Sequence, residues 1–409
     1  MTASQTASAN RNVALYPWFK LFRSLMFTQA VWFLYFQTTL TPAQAIMLYA
    51  IGDLATTVLE VPSGYASDRI GRRFTLLLAG ICSATGALLL GLADSFAVFV
   101  LAQVVLGAGG AFISGTDSAF LYESLSAAGR EAETEAQELK AWRFSFTALA
   151  LSAATGGAIA LYSYSATFVL TAVCMAASFV ISLQFRDQHG GAVRPQAGEV
   201  VRFGSLRTAL KTPVLIWLFA LSVLMYVFSH IPYVFGQPFI QDALNTVGLR
   251  QEAPWISGIV TTTMMIISVI ASLFAKTLRD RIGLIAILLL AFGMQIALSG
   301  VLALTNAPIV IAILLLRMVP DAFSRPFIVA RIQPELNDDA RATYLSLQSL
   351  GGRILFATTL FLASASTEQT GDMAFADIQF ILGSYVVVGI ICLSALAIFA
   401  RGLPINAKT

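Results

Sequence analysis

Between positions 64 and 73 the chain reads Gly64-Tyr65-Ala66-Ser67-Asp68-Arg69-Ile70-Gly71-Arg72-Arg73. This short, charged, glycine-punctuated stretch joins two apolar runs, 43–66 and 74–93. Each run is close to the ~20 residues a helix needs to cross a hydrocarbon core. Three arginines against one aspartate place the turn on the cytoplasmic side, because inside loops carry the Lys/Arg excess. The topology of the rest of the chain is counted from that turn.

Composition agrees with a membrane setting. Of the 409 residues, 57% are hydrophobic and 11% charged, where soluble domains carry about 25% charge. Mean hydropathy is +0.78. The net charge of +3 is accounted for by inside loops and gives no reason to expect nucleic acid as a partner. Cys82, Cys174 and Cys392 lie in three different apolar runs, so buried free thiols are expected and a disulfide framework is not. Residues 1–12 are polar and lack the basic start and cleavage pattern of a signal peptide, so they read as a disordered cytoplasmic tail.

Counting outward from the turn gives twelve apolar spans. They fall at about 14–40, 43–66, 74–93, 96–126, 141–162, 166–184, 212–235, 255–275, 284–304, 308–333, 342–364 and 375–400. In the first, Lys20 and Arg23 are placed to snorkel to the inner interface. The fourth is dense in small residues, which permit close helix approach. The polar stretch 185–211, with Asp187 and His189, is the one connection long enough to join two halves, and its part 203–210 suits a helix on the membrane surface. Of the 25 Lys and Arg residues only Arg250 falls in an assigned outside loop, 236–254; Glu368 and Asp372 lie in the last outside loop. An even number of spans puts both termini in the cytoplasm. The sequence therefore predicts an all-α integral membrane protein of twelve transmembrane helices. Its expected parts are a tail at 1–12, a six-helix half at 13–184, a linker at 185–211, a second half at 212–400 and a tail at 401–409.

The turn has an echo. Asp280-Arg281-Ile282-Gly283 repeats Asp68-Arg69-Ile70-Gly71 at an offset of 212 residues, with Lys276 in place of the first glycine and Leu284-Ile285 in place of Arg72-Arg73. Two halves related in this way are parallel repeats.

Ionisable residues inside membrane helices are expensive, and each is a candidate for function. By depth the midplane set is Asp53, Arg317 and Arg353, with Asp321 and Arg325 one and two turns below Arg317. Asp53 suits a proton carrier or a buried structural hydrogen-bond partner. Arg353 suits contact with an anionic solute or an ion pair that closes a cavity, and Arg317 suits a structural pair with Asp321. No metal-ligand spacing is present, and no glycine-lysine phosphate loop, so no metal, cofactor or ATP use is expected.

The 64–73 block resembles the loop motif between transmembrane helices 2 and 3 of the major facilitator superfamily, with Gly64, Asp68, Arg69, Gly71, Arg72 and Arg73 all in the motif's places. The resemblance implies two pseudo-symmetric six-helix halves that work by alternating access. It also implies that this loop, with Asp280 and Arg281 in its second copy, clamps the inner ends of the helices. An acid at the inner end of helix 4 joins that network, either Glu123 or Asp117 two turns earlier. Asp117, with Asp53 and Asp321, is also a candidate proton-coupling residue. Asp68 is placed to sit against a helix N-terminus.

Helices 1, 4, 7 and 10 line the central cavity in the superfamily. Gln29, Trp32, Tyr35, Tyr226, His230, Arg317 and Arg353 are thus candidate cavity residues, although aromatic stripes also serve packing. His230 falls near the outer mouth by depth, as a gate partner or proton site. Gln103 stands where many exporters carry arginine, and Ala153-Ala154-Thr155-Gly156-Gly157 lacks the proline of the drug-antiporter signature. The runs at 58–64 and 114–123 resemble a prokaryotic branch of permeases and efflux proteins. Proton-coupled export of a small organic solute across a bacterial inner membrane is the reading preferred on the sequence. Import or exchange of an organic anion is the alternative, and a membrane sensor or structural protein without turnover the third. Solute, protons and lipids are the expected partners, with no obligate protein partner.

Overall fold

The computed structural model describes residues 3–187, 212–332, 338–365, 367 and 372–403. His189, the segment 203–210 with the rest of 188–211, Glu368 and residues 404–409 lie outside the described residues, as does the side chain of Asp68. Every regular element described is helical. The helices are α1 (Ala3–Ser24), α2 (Trp32–Phe36), α3 (Pro42–Ile70), α4 (Arg72–Leu92), α5 (Phe96–Ile113), α6 (Thr116–Ala127), α7 (Thr134–Ala160) and α8 (Tyr164–Leu183). After the linker come α9 (Pro213–Asn245), α10 (Ala253–Ile282), α11 (Leu284–Leu304), a 3-10 segment (Pro308–Leu316), α12 (Val319–Ile332), α13 (Asp338–Ala365) and α14 (Phe375–Ala400). The chain divides into two compact units, Met1–Leu40 with Met47–Glu199, and Thr41–Ile46 with Val200–Thr409.

Among the described residues, nine stretches are long and apolar enough to cross a membrane. Three of the twelve expected spans are not among them, and each has a physical reason. The first is interrupted between Ser24 and Trp32. The fifth, α7, opens on charged residues and continues in Ala, Ser, Thr and Gly. The tenth begins as a 3-10 segment and resumes as a helix only at Val319.

In the first unit α4 packs chiefly against α5 and α8, and α1 against α7. Two expectations fail at the ends of this unit. The chain is helical from Ala3, not disordered to residue 12. Asn12 explains the difference, because it is 1% exposed and its amide grips the main chain of Arg186. Its Nδ2 donates to Arg186 O at 2.8 Å and to Ser124 Oγ at 3.1 Å, while Arg186 N donates to Asn12 Oδ1 at 3.1 Å. The order also runs past 184. Phe185 is fully buried, 4.6 Å from Phe120 and 5.6 Å from Phe19 between ring centroids.

The interruption in the first span is held by its neighbours. Met26 N donates to Ser152 Oγ and Phe27 N to Thr171 Oγ1, both at 3.1 Å. The same hydroxyls donate to Leu149 O and Thr167 O within their own helices. Main-chain groups released by a break inside a membrane must find partners in the protein, and these two hydroxyls supply them. Thr171→Val is expected to cost about 1–3 kcal/mol, since it strands the part-buried Phe27 N–H, and Ser152→Ala less, since Met26 N keeps Ser24 O at 2.9 Å. Thermal melts in detergent check this, and unchanged melting in both variants would contradict it.

At the tip of the 127–140 loop, Arg130 holds Glu133 through Nε to Oε1 at 2.7 Å and Nη2 to Oε2 at 2.6 Å, and its Nη1 reaches Asn10 at 2.8 Å. The Arg130 guanidinium, helped by Gln137, pulls the Glu133 carboxyl down to about 2. A lowered folded-state value means that the contribution is complete above the ordinary carboxylate range and is lost as pH falls towards 2. Arg130→Ala is expected to return Glu133 towards the ordinary range, read as a shifted NMR titration of isotope-labelled glutamate.

In the second unit α9 continues ten residues beyond the expected end at 235, carrying Pro232 and Pro238 inside it. Phe239, Ile240, Ala243 and Leu244 are buried there, and their packing outweighs the missing N–H groups. The expected loop 236–254 shrinks to a short connection. Around it Asn306 Nδ2 donates to Asp242 Oδ2 at 2.8 Å, and Arg250 pairs with Asp372.

The repeat seen in the sequence extends to the backbone. Pro42 and Pro254 open corresponding helices, Ile70 and Ile282 close them, and the helices that follow have 21 residues each. Gly71 (φ 99°, ψ 147°) and Gly283 (φ 87°, ψ 164°) make the same turn, in a region that only glycine enters readily. Gly71 N donates to Ser67 O and Gly283 N to Arg279 O, at 3.2 and 2.8 Å; Thr75 N returns to Gly71 O and Ile287 N to Gly283 O, both at 3.2 Å.

Candidate functional site

The 64–73 stretch ends α3 and, through Gly71, starts α4. Arg72 lies across the turn, Nε donating to Glu123 Oε1 at 3.2 Å and Nη1 to Ser67 Oγ at 2.9 Å. Thr116 Oγ1 donates to the same Ser67 hydroxyl at 3.1 Å. Of the two acids considered for this network, Glu123 is the one Arg72 meets. Among the described side chains, a carboxylate at the N-terminus of α4 is that of Asp187, whose Oδ1 accepts from Arg73 N at 3.1 Å. Capping by a carboxylate favours a helix start, and here the cap comes from just beyond α8. Arg73 Nη2 also donates to Leu183 O at 3.1 Å, and Arg69 Nη1 to Tyr65 OH at 2.6 Å. In the second copy Asp280 accepts from Arg279 at 3.1 Å, and Arg281 is exposed.

Lys20 does not snorkel. Its Nζ meets Asp117 Oδ2 at 2.7 Å, with both side chains mostly buried. Asp117 stands in the first turn of α6, just after Ser114 and Gly115 interrupt the fourth span, and its Oδ1 accepts from Ser118 N at 2.9 Å. Nearby, Ser114 Oγ donates to Glu60 Oε1 at 2.7 Å. Asp53 is half-buried in the apolar part of α3, its main-chain oxygen accepting from Thr57 Oγ1 at 2.8 Å. The neighbouring Gly52 lies against Gln103 of α5.

The helix 1 aromatics serve packing more than the sequence implied. Tyr35 is 5% exposed, its hydroxyl donates to Leu90 O at 2.8 Å, and its ring centroid lies 4.4 Å from that of Phe168. Trp32 packs on Tyr49, with ring centroids 5.0 Å apart, and Gln29 is half-buried one turn before it.

In the second unit three groups of candidates form. His230 and Tyr226 stack with ring centroids 4.2 Å apart, and Phe356 lies 5.3 Å from the imidazole. Because α9 runs on to Asn245, His230 is near the middle of that helix and not near its outer end. Arg317 lies over the ring of Tyr233, 5.0 Å from its centroid, with Nε 3.1 Å from Met264 Sδ. Asp321 takes Arg325 as its ion-pair partner, at 3.4 Å, and accepts from Gln295 Nε2 at 3.5 Å. Arg325, on the same face, is the ion-pair partner of Asp321, and the charge of Arg317 acts on that carboxylate as well. Arg353 follows Gly351 and Gly352 on α13, where a Cβ on Gly352 would stand 2.9 Å from Cγ of Tyr226.

The sequence reading had not singled out Asn12, Ser152, Thr171, Met264 or Gln295. Gln295 carried a signal, as a lone amide in the apolar run 284–304. The others became visible only through their partners.

Comparison with known proteins agrees with this architecture. The model of the Major Facilitator Superfamily matches residues 19–357. A curated relative, the sugar transport protein MST4 of Oryza sativa subsp. japonica, is 24% identical over 286 residues, which is 62% of this chain. The match spans about half of that relative, 53% of its length. The nucleoside transporter NupG superposes with a TM-score of 0.76 at 14% identity, covering 96% of this chain and 99% of that one. A D-xylose-proton symporter superposes with a TM-score of 0.68 at 14% identity, covering 98% and 99%. With its membrane helices, its repeated glycine turn and a family match over most of its length, the chain belongs to the Major Facilitator Superfamily of membrane transporters, and its work is transport and not catalysis.

Proposed function

We propose that this protein takes up a small, polar organic solute, bearing an anionic group, in symport with protons. The setting is a bacterial inner membrane with both termini in the cytoplasm. The observation that carries the reading is where the helices are broken. The interruption at 25–31 follows Lys20 and Arg23, the one at Ser114-Gly115 precedes Asp117, and the one before Val319 holds Arg317 with Asp321 close by. Breaks inside a membrane are tolerated where backbone lines a cavity or is held by protein, and ionisable groups beside them serve ion and solute sites.

Arg317 and Arg353 favour a solute with a carboxylate or phosphate. Asp53 is the proposed proton site, an acid half-buried in the apolar part of α3. Arg72 with Glu123 is the proposed inner clamp, at 3.2 Å. Uptake is preferred to the export first favoured on the sequence, since the similar proteins are described as sugar and nucleoside transporters and a proton symporter.

Counterflow in proteoliposomes tests the reading, with D-glucuronate, D-xylose, uridine and dialanine as labelled probes. Exchange of D-glucuronate is expected. Exchange of none of them, from protein shown to be folded, would count against the reading.

A further inference from the structure

The orientation and protonation of His230 follow from its partners. Its Nδ1 lies 2.7 Å from Tyr226 O and 3.1 Å from Ser229 Oγ. A carbonyl only accepts, so Nδ1 carries the proton and Nε2 keeps its lone pair. Ser229 Oγ donates to the same carbonyl at 3.1 Å, which leaves its oxygen free to accept a share of the Nδ1 proton. Tyr226 stacks on one side of the ring and Phe356 flanks it, so the imidazole cannot swing away. Nε2, at the opposite edge, makes no hydrogen bond among the described residues and is not sealed away from solvent.

The positive charges that act on this ring are those of Arg317, Arg325 and Arg353. Asp321 is the nearby acid, and it is paired with Arg325 at 3.4 Å. A second proton on His230 would add a cation among three guanidinium groups. An ammonium donor arriving at Nε2 would meet the same field. A hydroxyl carries a donor without charge.

We propose that His230 is a fixed, neutral imidazole whose Nε2 accepts a hydrogen bond from a hydroxyl group of the transported solute. The solute class is therefore hydroxylated and neutral or anionic, not an amine, and His230 recognises solute instead of carrying the coupled proton. This rests on the transport reading above and adds the chemistry of one contact to it.

Two measurements test it. Nitrogen NMR of histidine-labelled protein in nanodiscs, with His189→Gln leaving a single histidine, is expected to give a neutral ring protonated at Nδ1 from about pH 5.5 to about pH 8. A ring protonated at Nε2 alone, or an imidazolium at about pH 6, overturns the proposal. The second measurement is proteoliposome uptake of labelled D-glucuronate against D-glucosamine, two sugars of opposite charge. Uptake of D-glucuronate is expected. In His230→Phe, which keeps a flat ring without the acceptor, KM should rise about tenfold or more with maximal rate within about threefold. His230→Gln, whose amide oxygen can accept, should recover part of the loss.

Unchanged KM in His230→Phe overturns the contact, and preference for D-glucosamine, or uptake of neither D-glucuronate nor neutral D-xylose, overturns the solute class. The transport reading fails separately, if no probe in the counterflow panel exchanges.

Discussion

Gly156→Ala is expected to destabilise the purified protein by about 3 kcal/mol or more, at the upper end of what overpacking usually does. A Cβ at that position would stand 2.0 Å from Phe27 O, 2.8 Å from Phe27 C and 2.9 Å from its Cα. These are main-chain atoms of the 25–31 interruption, and they cannot turn aside as a side chain would. The interruption is also fixed at Met26 and Phe27 by hydrogen bonds to Ser152 of α7 and Thr171 of α8. Either α7 moves off the broken segment and the Ser152 bond stretches, or the segment re-forms elsewhere. Gly110→Ala is the control, because its Cβ would meet Thr56 Cγ2 at an ordinary 3.6 Å. That variant should melt within about 0.5 kcal/mol of wild type or gain slightly from the higher helix propensity of alanine. Equal melting of the two variants would show that the close approach at Gly156 is not what holds α7 against the break.

The second large effect falls on transport. Asp53→Asn is expected to abolish uphill uptake, a loss of at least about tenfold, while counterflow of D-glucuronate stays within about threefold. Asparagine keeps the size and one acceptor oxygen of the aspartate, puts a donor in place of the other, and cannot take up or release a proton. A coupling residue lost in this way leaves exchange running and removes only its link to the proton gradient. The same substitution at Asp117 or Asp321 should behave differently, because it strands Lys20 or Arg325 without its carboxylate. Those variants should lose stability first. If Asp53→Asn instead fails to fold, the aspartate is a structural hydrogen-bond partner. If it retains gradient-driven uptake, the proton site is elsewhere.

How much of this the sequence contained depends on the kind of interaction. Helix identity and most boundaries were legible, because they follow from apolar length and from proline and glycine at the ends. The expected span at 284–304 coincides with α11, and that at 375–400 with α14. The Gly71 turn and its copy at Gly283 were legible for a similar reason, since a repeated motif repeats its backbone. The expected end of α9 at 235 falls short because buried Phe239 and Ile240 keep the helix going past Pro238.

The interruptions were not legible. Nothing local in Leu25-Met26-Phe27-Thr28 marks a break; it exists because Ser152, Gly156 and Thr171, more than a hundred residues away, accept it. The candidate site divides along the same line. That Arg72 would meet an acid on the fourth span could be foreseen, but the choice of Glu123, and the pairing of Asp117 with Lys20, are set by where Ser114 and Gly115 break the helix. Likewise His230 could be named as a candidate, yet its protonation rests on the distance to Tyr226 O.

Uptake coupled to proton entry is the central claim, and its most direct test is the sign of the gradient response. Wild-type protein in liposomes with an alkaline lumen and an acidic outside should accumulate labelled D-glucuronate above its equilibrium level, and collapse of the gradient by a protonophore should release it. Accumulation driven instead by an acidic lumen would mean antiport and export, and accumulation indifferent to the gradient would mean that transport is not coupled to protons.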